Sequence, residues 1–481
     1  MNLAATTPIL IVAAAATLAL GVGLVPGRAA ERYGPTAVAI IGLVAAAVMS
    51  LVFWGDRIEA FEGSLHIDRF SMLLNLIFIT AALAVIILSI REPGAVARRG
   101  EYASLILFST AGMMLVGAAG DLIVLFVGIE ILSVSLYVLA ALEVWRERSL
   151  EAGLKYLIMG AIGSSILLYG FALLYGATGT TRLGEIADAL NGSALGGEPL
   201  VLGAVVLMVA GLGFKASAAP FHMWTPDVYE GAPTPITAFM STATKAAALA
   251  AFLRIFTAGL ADIEADWDLI IGVVAAAAII VGNVAALLQD NMKRLLAYSS
   301  VGQAGYLLIG VAAGSIQGAE ATLYYLLVYL AMTLAAFAIV IIREREVIDG
   351  DTVQALAGYA RRRPVHGAVL TLAMLSLAGF PPLSGFLGKF LLFGSAVEAD
   401  MIWLAVIGAL GSIVSLGYYL RVLGVAWLGD RRPSPAERGL ESPPLAGLVT
   451  VTSGLAIVAL TIAASPVLDA CRSAAESLLA A

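Results

Sequence analysis

Apolar runs of about 20 residues, each long enough to cross a bilayer as a helix, recur along nearly the whole chain. Counting them predicts fourteen membrane spans, near 3–25, 35–54, 70–91, 102–119, 121–142, 154–176, 199–222, 234–257, 268–288, 295–314, 318–342, 365–394, 401–427 and 444–470. Two connecting stretches predict short surface helices. In 181–190, Leu183, Ile186 and Leu190 fall on one helical face. In 351–363, a short helix ends at Arg361, Arg362 and Arg363, a cluster suited to anionic lipid headgroups. No stretch reads as a soluble domain or a low-complexity linker. The expected fold is an all-α polytopic membrane protein of about fourteen helices in a single domain over 1–481.

The polar residues test that count. Loops following odd-numbered spans hold seventeen basic residues, and the opposite side holds four: Arg57, Arg69, Arg182 and Arg472. The positive-inside rule then puts the basic loops in the cytoplasm and both termini outside, the periplasmic side of a bacterial inner membrane. A wrong number of spans would have scrambled the split. The first span has no basic residue before it, which predicts a retained helix rather than a cleaved signal.

Two segments of five spans, 101–260 (spans 4–8) and 266–428 (spans 9–13), read as repeats. Spans 1–3, over 1–92, precede them, and the last span, 444–470, follows. Five is odd, so the second repeat enters from the opposite face and is inverted. Asp121, Glu130 and Tyr137 stand 169 residues before Asp290, Ser299 and Tyr306. Each repeat's fourth span carries a breaker: Pro220 in the seventh, and Gly379-Phe380-Pro381-Pro382 in the twelfth. Interrupted helices at matching places point to a transport site, because irregular backbone at membrane depth must line protein or a water cavity.

Composition narrows the chemistry. The chain is 60% hydrophobic and 13% charged, against about 25% charged in soluble domains. One cysteine, three histidines and the lack of CxxC, GxGxxG or GxxxxGK[ST] patterns give no redox or nucleotide motif of its own. The chain has five lysines against twenty-two arginines, yet four of the lysines, Lys155, Lys215, Lys245 and Lys389, fall inside predicted spans. Arginine stays charged at any working pH, whereas a buried lysine can give up its proton. The interior therefore carries the titratable base.

Glu130 lies mid-span with apolar residues on both sides, and Lys215, just before Pro220, is its natural partner. Either the two form a static ion pair or the carboxylate is a switchable partner for a proton carrier. Lys245 has no acidic neighbour in sequence. Lys389 follows the second break, with Gly385 and Gly388 leaving it room to snorkel. His222 is seven residues after Lys215 and would share its face in a regular helix. Lys155 opens the sixth span. Tyr137, Tyr298, Tyr306 and Ser299 are candidates for water wires; Asp227 and Glu230 fit a structural role in the turn; Arg254 and Arg421 fit interface anchors. The expected site is Glu130, Lys215, Lys245, Lys389, His222 and Lys155. Moving one charge against about 180 mV costs roughly 4 kcal/mol. A lysine shift of about 3 pKa units is worth about the same.

The stretch FKASAAPFHMWTPDVYEGAPTPITAF, with Glu130 upstream and GFPPLSGFLGKF downstream, resembles the antiporter-like subunits of respiratory complex I. Within them the chain looks like the N subunits of bacterial NADH–quinone oxidoreductases. Lys389 stands where M subunits are expected to carry glutamate. About eleven residues follow the last span, where L subunits continue into a lateral helix. The resemblance implies that Glu130, Lys215, Lys245 and Lys389 form a proton axis, with Lys155 and His222 at further polar positions. It implies a proton-translocating subunit driven by quinone reduction elsewhere, beside other membrane-arm subunits and lipid. It also implies no cofactor in this chain; flavin, iron–sulfur clusters and quinone belong to partner subunits. A subunit of a multi-subunit sodium/proton antiporter shares the motif, as does a ferredoxin-dependent quinone reductase of plastid or cyanobacterial type.

Overall fold

The computed structural model describes residues 6–191, 197–347, 349–430 and 444–479; Arg431, Arg432, Arg438 and the start of the first span lie outside the described residues. Among these, twelve helices are long and apolar enough to cross a membrane. The shorter Thr7–Gly23 and Pro364–Ala378 coincide with the first expected span and the first half of the twelfth.

Burial orders the bundle. The helices Thr234–Gly259, Met292–Ala312 and Ile316–Glu346 are enclosed almost completely, whereas only about a third of Tyr33–Val52 and Leu445–Ile462 is buried. A helix apolar on all sides is a buried one. These three nonetheless carry Lys245, Ser299, Ser300, Gln303, Tyr325 and Tyr329 inside the protein. The polar chemistry sits at the centre of the bundle.

Both expected breaks are present. The helix Pro199–Ala216 ends where Ser217 adopts a left-handed conformation (φ 61°), and a short helix follows at Thr225–Gly231. Pro364–Ala378 ends at Gly379 (φ 83°), where glycine carries no Cβ penalty, and the chain resumes as Ser384–Glu398. The Ala219–Pro220 and Pro381–Pro382 peptides are cis. The helix through Thr234–Gly259 is continuous but includes π-helical turns at Met240–Thr244 and Arg254–Gly259. Such turns leave backbone groups off the regular ladder.

Several expectations change. The all-α reading omitted a hairpin, β1 (Ile58–Ala60) antiparallel to β2 (Leu65–Ile67), with Ile58 opposite Ile67. The final span stops at Ile462, and a separate helix, Ala464–Leu479, packs Cys471, Ala474, Ala475 and Leu478 inward. Pro466 explains the stop, since it has no N–H to return to the Ile462 carbonyl. Arg254 is no interface anchor. It is fully buried, its Nη2 2.8 Å from Asp68 and donating to the Gly117 carbonyl at 3.0 Å, with its guanidinium over the Phe70 ring. Arg421, by contrast, reaches out toward the exposed Asp290. Leu183–Leu190 is helical with Leu183, Ile186 and Leu190 buried, as the pattern predicts. The 351–363 stretch is a 3-10 turn at Val353–Leu356 and one helical turn at Tyr359–Arg362. There Arg363 pairs with Glu346 at 2.7 Å.

Candidate functional site

The site begins on the helix Leu122–Ala140, whose N-terminus is capped by Asp121 accepting from the Ile123 amide at 2.7 Å. Glu130, Ser133 and Tyr137 are spaced three and four residues apart, so they share one face. Ser164, from the adjacent helix Glu147–Thr178, donates to Glu130 Oε1 at 2.5 Å. Gly160 on that helix lets the Tyr137 hydroxyl pack against bare backbone; a Cβ there would lie 2.1 Å from it. Lys215, in the last turn before the first break, donates to Ser133 Oγ at 2.8 Å and reaches the Tyr137 hydroxyl at 3.4 Å.

The expected Glu130–Lys215 ion pair is therefore not a contact. Glu130 turns to the neighbouring helix while the ammonium meets the next turn of the Glu130 helix, so hydroxyls separate the two charges. His222 does not share a face with Lys215, because the helix ends at Ala216. Its Nδ1 is buried without a hydrogen-bond partner, and its ring lies 6.3 Å from that of Tyr298.

Lys155 stands apart from the other lysines. Its side chain is 42% exposed and pairs with Glu151 at 2.7 Å and Asp227 at 2.8 Å. Asp227 and Glu230 also bind Arg294, at 2.7 and 3.0 Å. Burial pushes the Asp227 carboxyl up, but the hydrogen bonds from Lys155 and Arg294 outweigh it and hold the group below the usual carboxylate range. These pairs fix the short helix after the break, with Trp224 stacked on Tyr156 and donating to the Phe214 carbonyl at 3.1 Å.

Lys245 follows directly on the first π-helical turn and is 1% exposed. It donates to two carbonyls, Ala216 at 2.8 Å and Ser300 at 2.7 Å. The Ala216 carbonyl is open because the helix stops there. Lys245 thus ties the first break to the helix Met292–Ala312 in the second half.

That helix carries the path onward. Ser299 Oγ lies 2.5 Å from the Tyr419 hydroxyl, and Ser300 Oγ accepts from Tyr329 at 3.0 Å. Gln303 accepts from the Tyr325 hydroxyl at 2.6 Å and donates to Tyr419 at 3.3 Å and to the Leu377 carbonyl at 3.1 Å. Lys389 donates to that same Leu377 carbonyl at 3.0 Å and to Ala378 at 3.2 Å, its Nζ 4.3 Å above the Tyr306 ring. It is 2% exposed and does not snorkel. Tyr306 in turn accepts from Asn283 at 3.0 Å.

The sequence reading missed Gln303, Asn283, Ser133, Ser164, Tyr325, Tyr329 and Tyr419. A search for charge inside spans passes over neutral groups, yet an amide within an apolar run is a signal of its own, since it must be hydrogen-bonded when buried.

Among the described residues, no carboxylate oxygen lies within 4.0 Å of the Lys215, Lys245 or Lys389 ammonium. All their partners are neutral. Lys245 and Lys389 each make two hydrogen bonds, a number that a neutral amine, with two N–H groups, keeps after losing its proton. A buried ion pair would instead pin the charge, as with Arg254 and Asp68. The row therefore accommodates both states of its amines.

A membrane bundle with two interrupted helices, each offering open carbonyls to a buried lysine, belongs to the transporter-like class of architectures. The family described as NADH:quinone oxidoreductase/Mrp antiporter, transmembrane, matches residues 119–415. An NADH-quinone oxidoreductase subunit N of Trichlorobacter lovleyi is 45% identical over 80% of this chain and 79% of that protein. One of Desulforamulus reducens is 38% identical over 96% of each. A chain of respiratory complex I from Thermus thermophilus superposes with TM-score 0.82 at 36% identity, covering 96% of this chain and 98% of that one. A chain of the Mrp complex from Dietzia shares the fold, with TM-score 0.84 at 23% identity over 100% and 98%. The chain belongs to this antiporter-like membrane family, on the branch of the NADH-quinone oxidoreductase N subunits.

Proposed function

We propose that this chain is the N-type, proton-translocating membrane subunit of an NADH:quinone oxidoreductase, moving protons along Glu130, Lys215, Lys245 and Lys389 while quinone is reduced elsewhere in the complex. The observation that carries the reading is the row of buried lysines held by neutral acceptors, with Lys245 on the Ser300 carbonyl and Lys389 on the Leu377 carbonyl that it shares with Gln303. A change in the Glu130–Lys215 separation alters the field on Lys215 and drives its proton toward Lys245. The two segments 101–260 and 266–428 act as inverted repeats, each supplying one break. The chain sits in the bacterial inner membrane with both termini outside and adjoins other membrane-arm subunits, and the flavin, iron–sulfur clusters and quinone belong to partners. His222 lies beside the first break as a relay, and Lys155 belongs to the charged rim that fixes it.

The test is Lys215→Ala in the assembled complex, with proton pumping and electron transfer measured together. Loss of pumping or of coupled turnover is expected; both remaining at wild-type levels would overturn the axis. Iron–sulfur signals in the purified assembly separate this reading from a subunit of a multi-subunit sodium/proton antiporter, which would show none.

A further inference from the structure

On the flank of the bundle, away from the lysine row, a groove of about 630 Å³ runs between the helices Arg28–Val52 and Pro444–Ile462 and the connection from Ile90 to Arg99. Its walls are apolar, including Ile40, Val96 and Leu445, and the last two are exposed. Arg91, Arg99 and the exposed Tyr33 also line it. Arg91 is exposed, and among the described residues no carboxylate oxygen lies within 4.0 Å of it. The adjacent Glu92 offers no neutralisation: it is turned inward and paired with Arg345 at 2.8 Å. Arg91 stands two residues beyond the end of the helix Arg69–Ser89, at the level where a span meets the headgroups.

An uncompensated guanidinium at the edge of an open apolar groove is complementary to one kind of molecule, an amphiphile with an anionic head. The volume falls within the roughly 300–1,000 Å³ of small-molecule sites. Basic pockets between spans on the cytoplasmic side suit anionic headgroups. We propose that this groove binds one anionic membrane phospholipid. Its phosphate lies against Arg91, and an acyl chain runs along Ile40, Val96 and Leu445. The assignment to the cytoplasmic leaflet rests on the sidedness proposed above; the lipid site does not depend on the proton axis.

The experiment labels the purified assembly with phosphatidylglycerol bearing a photoreactive acyl chain, then with phosphatidylcholine bearing the same chain. Cross-linked peptides are mapped by mass spectrometry. Phosphatidylglycerol should label peptides containing Ile40, Val96 or Leu445 about tenfold more than phosphatidylcholine, a ratio equivalent to roughly 1.4 kcal/mol. In Arg91→Ala the labelling should fall to the phosphatidylcholine level. Val96→Trp, which fills the groove without altering charge, should abolish labelling by both lipids and keeps the test open if the arginine variant does not assemble. Equal labelling by the two lipids would overturn the proposal. So would labelling unaffected by either variant, or none at all because a neighbouring subunit covers the groove.

Discussion

Gln303→Leu is the substitution that most directly tests whether the lysines form one path. Gln303 stands between Lys245 and Lys389, joining the Tyr325 and Tyr419 hydroxyls to the Leu377 carbonyl that Lys389 also uses. Leucine is close in volume, so no large cavity opens. The Leu377 carbonyl keeps its bond to Lys389, and Tyr419 keeps Ser299. The group left without its acceptor is the fully buried Tyr325 hydroxyl. An orphaned buried polar group costs about 1–3 kcal/mol, which a large membrane assembly tolerates, so the complex should still form. The functional effect is separate. If protons cross this gap, replacing three polar contacts with methyl groups raises the transfer barrier by at least about 1.4 kcal/mol, or tenfold in rate. The assay is reconstitution of the assembled complex in vesicles. NADH-driven quinone reduction is followed together with acidification, reported by a pH-sensitive dye. Either coupled turnover falls about tenfold or the protons pumped per electron fall, and Gln303→Glu, which in its protonated form keeps one donor and an acceptor, should retain more of both. If Gln303→Leu assembled normally with turnover and pumping ratio at wild-type values, the connection through Gln303 would carry no protons.

Three further outcomes follow from the same geometry. Lys155→Ala should leave pumping within about twofold of wild type, because exposed pairs are worth at most about 1 kcal/mol; a loss matching that of Lys215→Ala would move Lys155 into the axis. Arg254→Leu should lower the thermal stability of the assembly by about 3–5 kcal/mol, since it leaves the Asp68 carboxylate buried and unpaired, and an unchanged melting temperature would contradict that. Glu92 is held at about 7 by burial, which outweighs the Arg345 guanidinium working to lower it. Its folded value lies above its unfolded one, so its contribution to stability is full below about pH 4.3 and is lost as pH rises toward 7. Melting curves from pH 5 to 8 should therefore show Glu92→Gln gaining on wild type as pH rises, and parallel curves would refute the shift.

The hydropathy pattern made the spans and both breaks readable, because a bilayer demands about 20 apolar residues and proline cannot continue the helical ladder. Pro466 carries the same signal near the end of the chain, but unbroken hydropathy hides it, so the expected span runs eight residues past the helix end at Ile462. The lysines were legible as rare charges in apolar runs. Their partners were not. Lys245 and Lys389 bind main-chain carbonyls, which every residue has and no sequence marks, while Lys215 binds hydroxyls that also occur wherever helices pack. Arg254 shows the opposite limit: its partner, Asp68, lies 186 residues away in sequence, and nothing local distinguishes a buried pair from an anchor at a span's end.

The placement of the breaks gives the polar row its physical logic. In a regular helix the carbonyl of each residue is already taken by the amide four residues on, so a lysine can only share it, as Lys245 shares that of Ser300. At Ser217 and Gly379 the ladder stops, and the carbonyls of Ala216, Leu377 and Ala378 become available inside the protein. Lys245 uses the first and Lys389 the other two. Acidic side chains in those places would hold the ammonium by Coulomb attraction and raise the cost of deprotonation. Carbonyl dipoles solvate it without a net charge and remain acceptors for a neutral amine. A helix that bends without freeing a carbonyl would satisfy packing equally well, but it would leave the lysine either unsolvated or permanently paired.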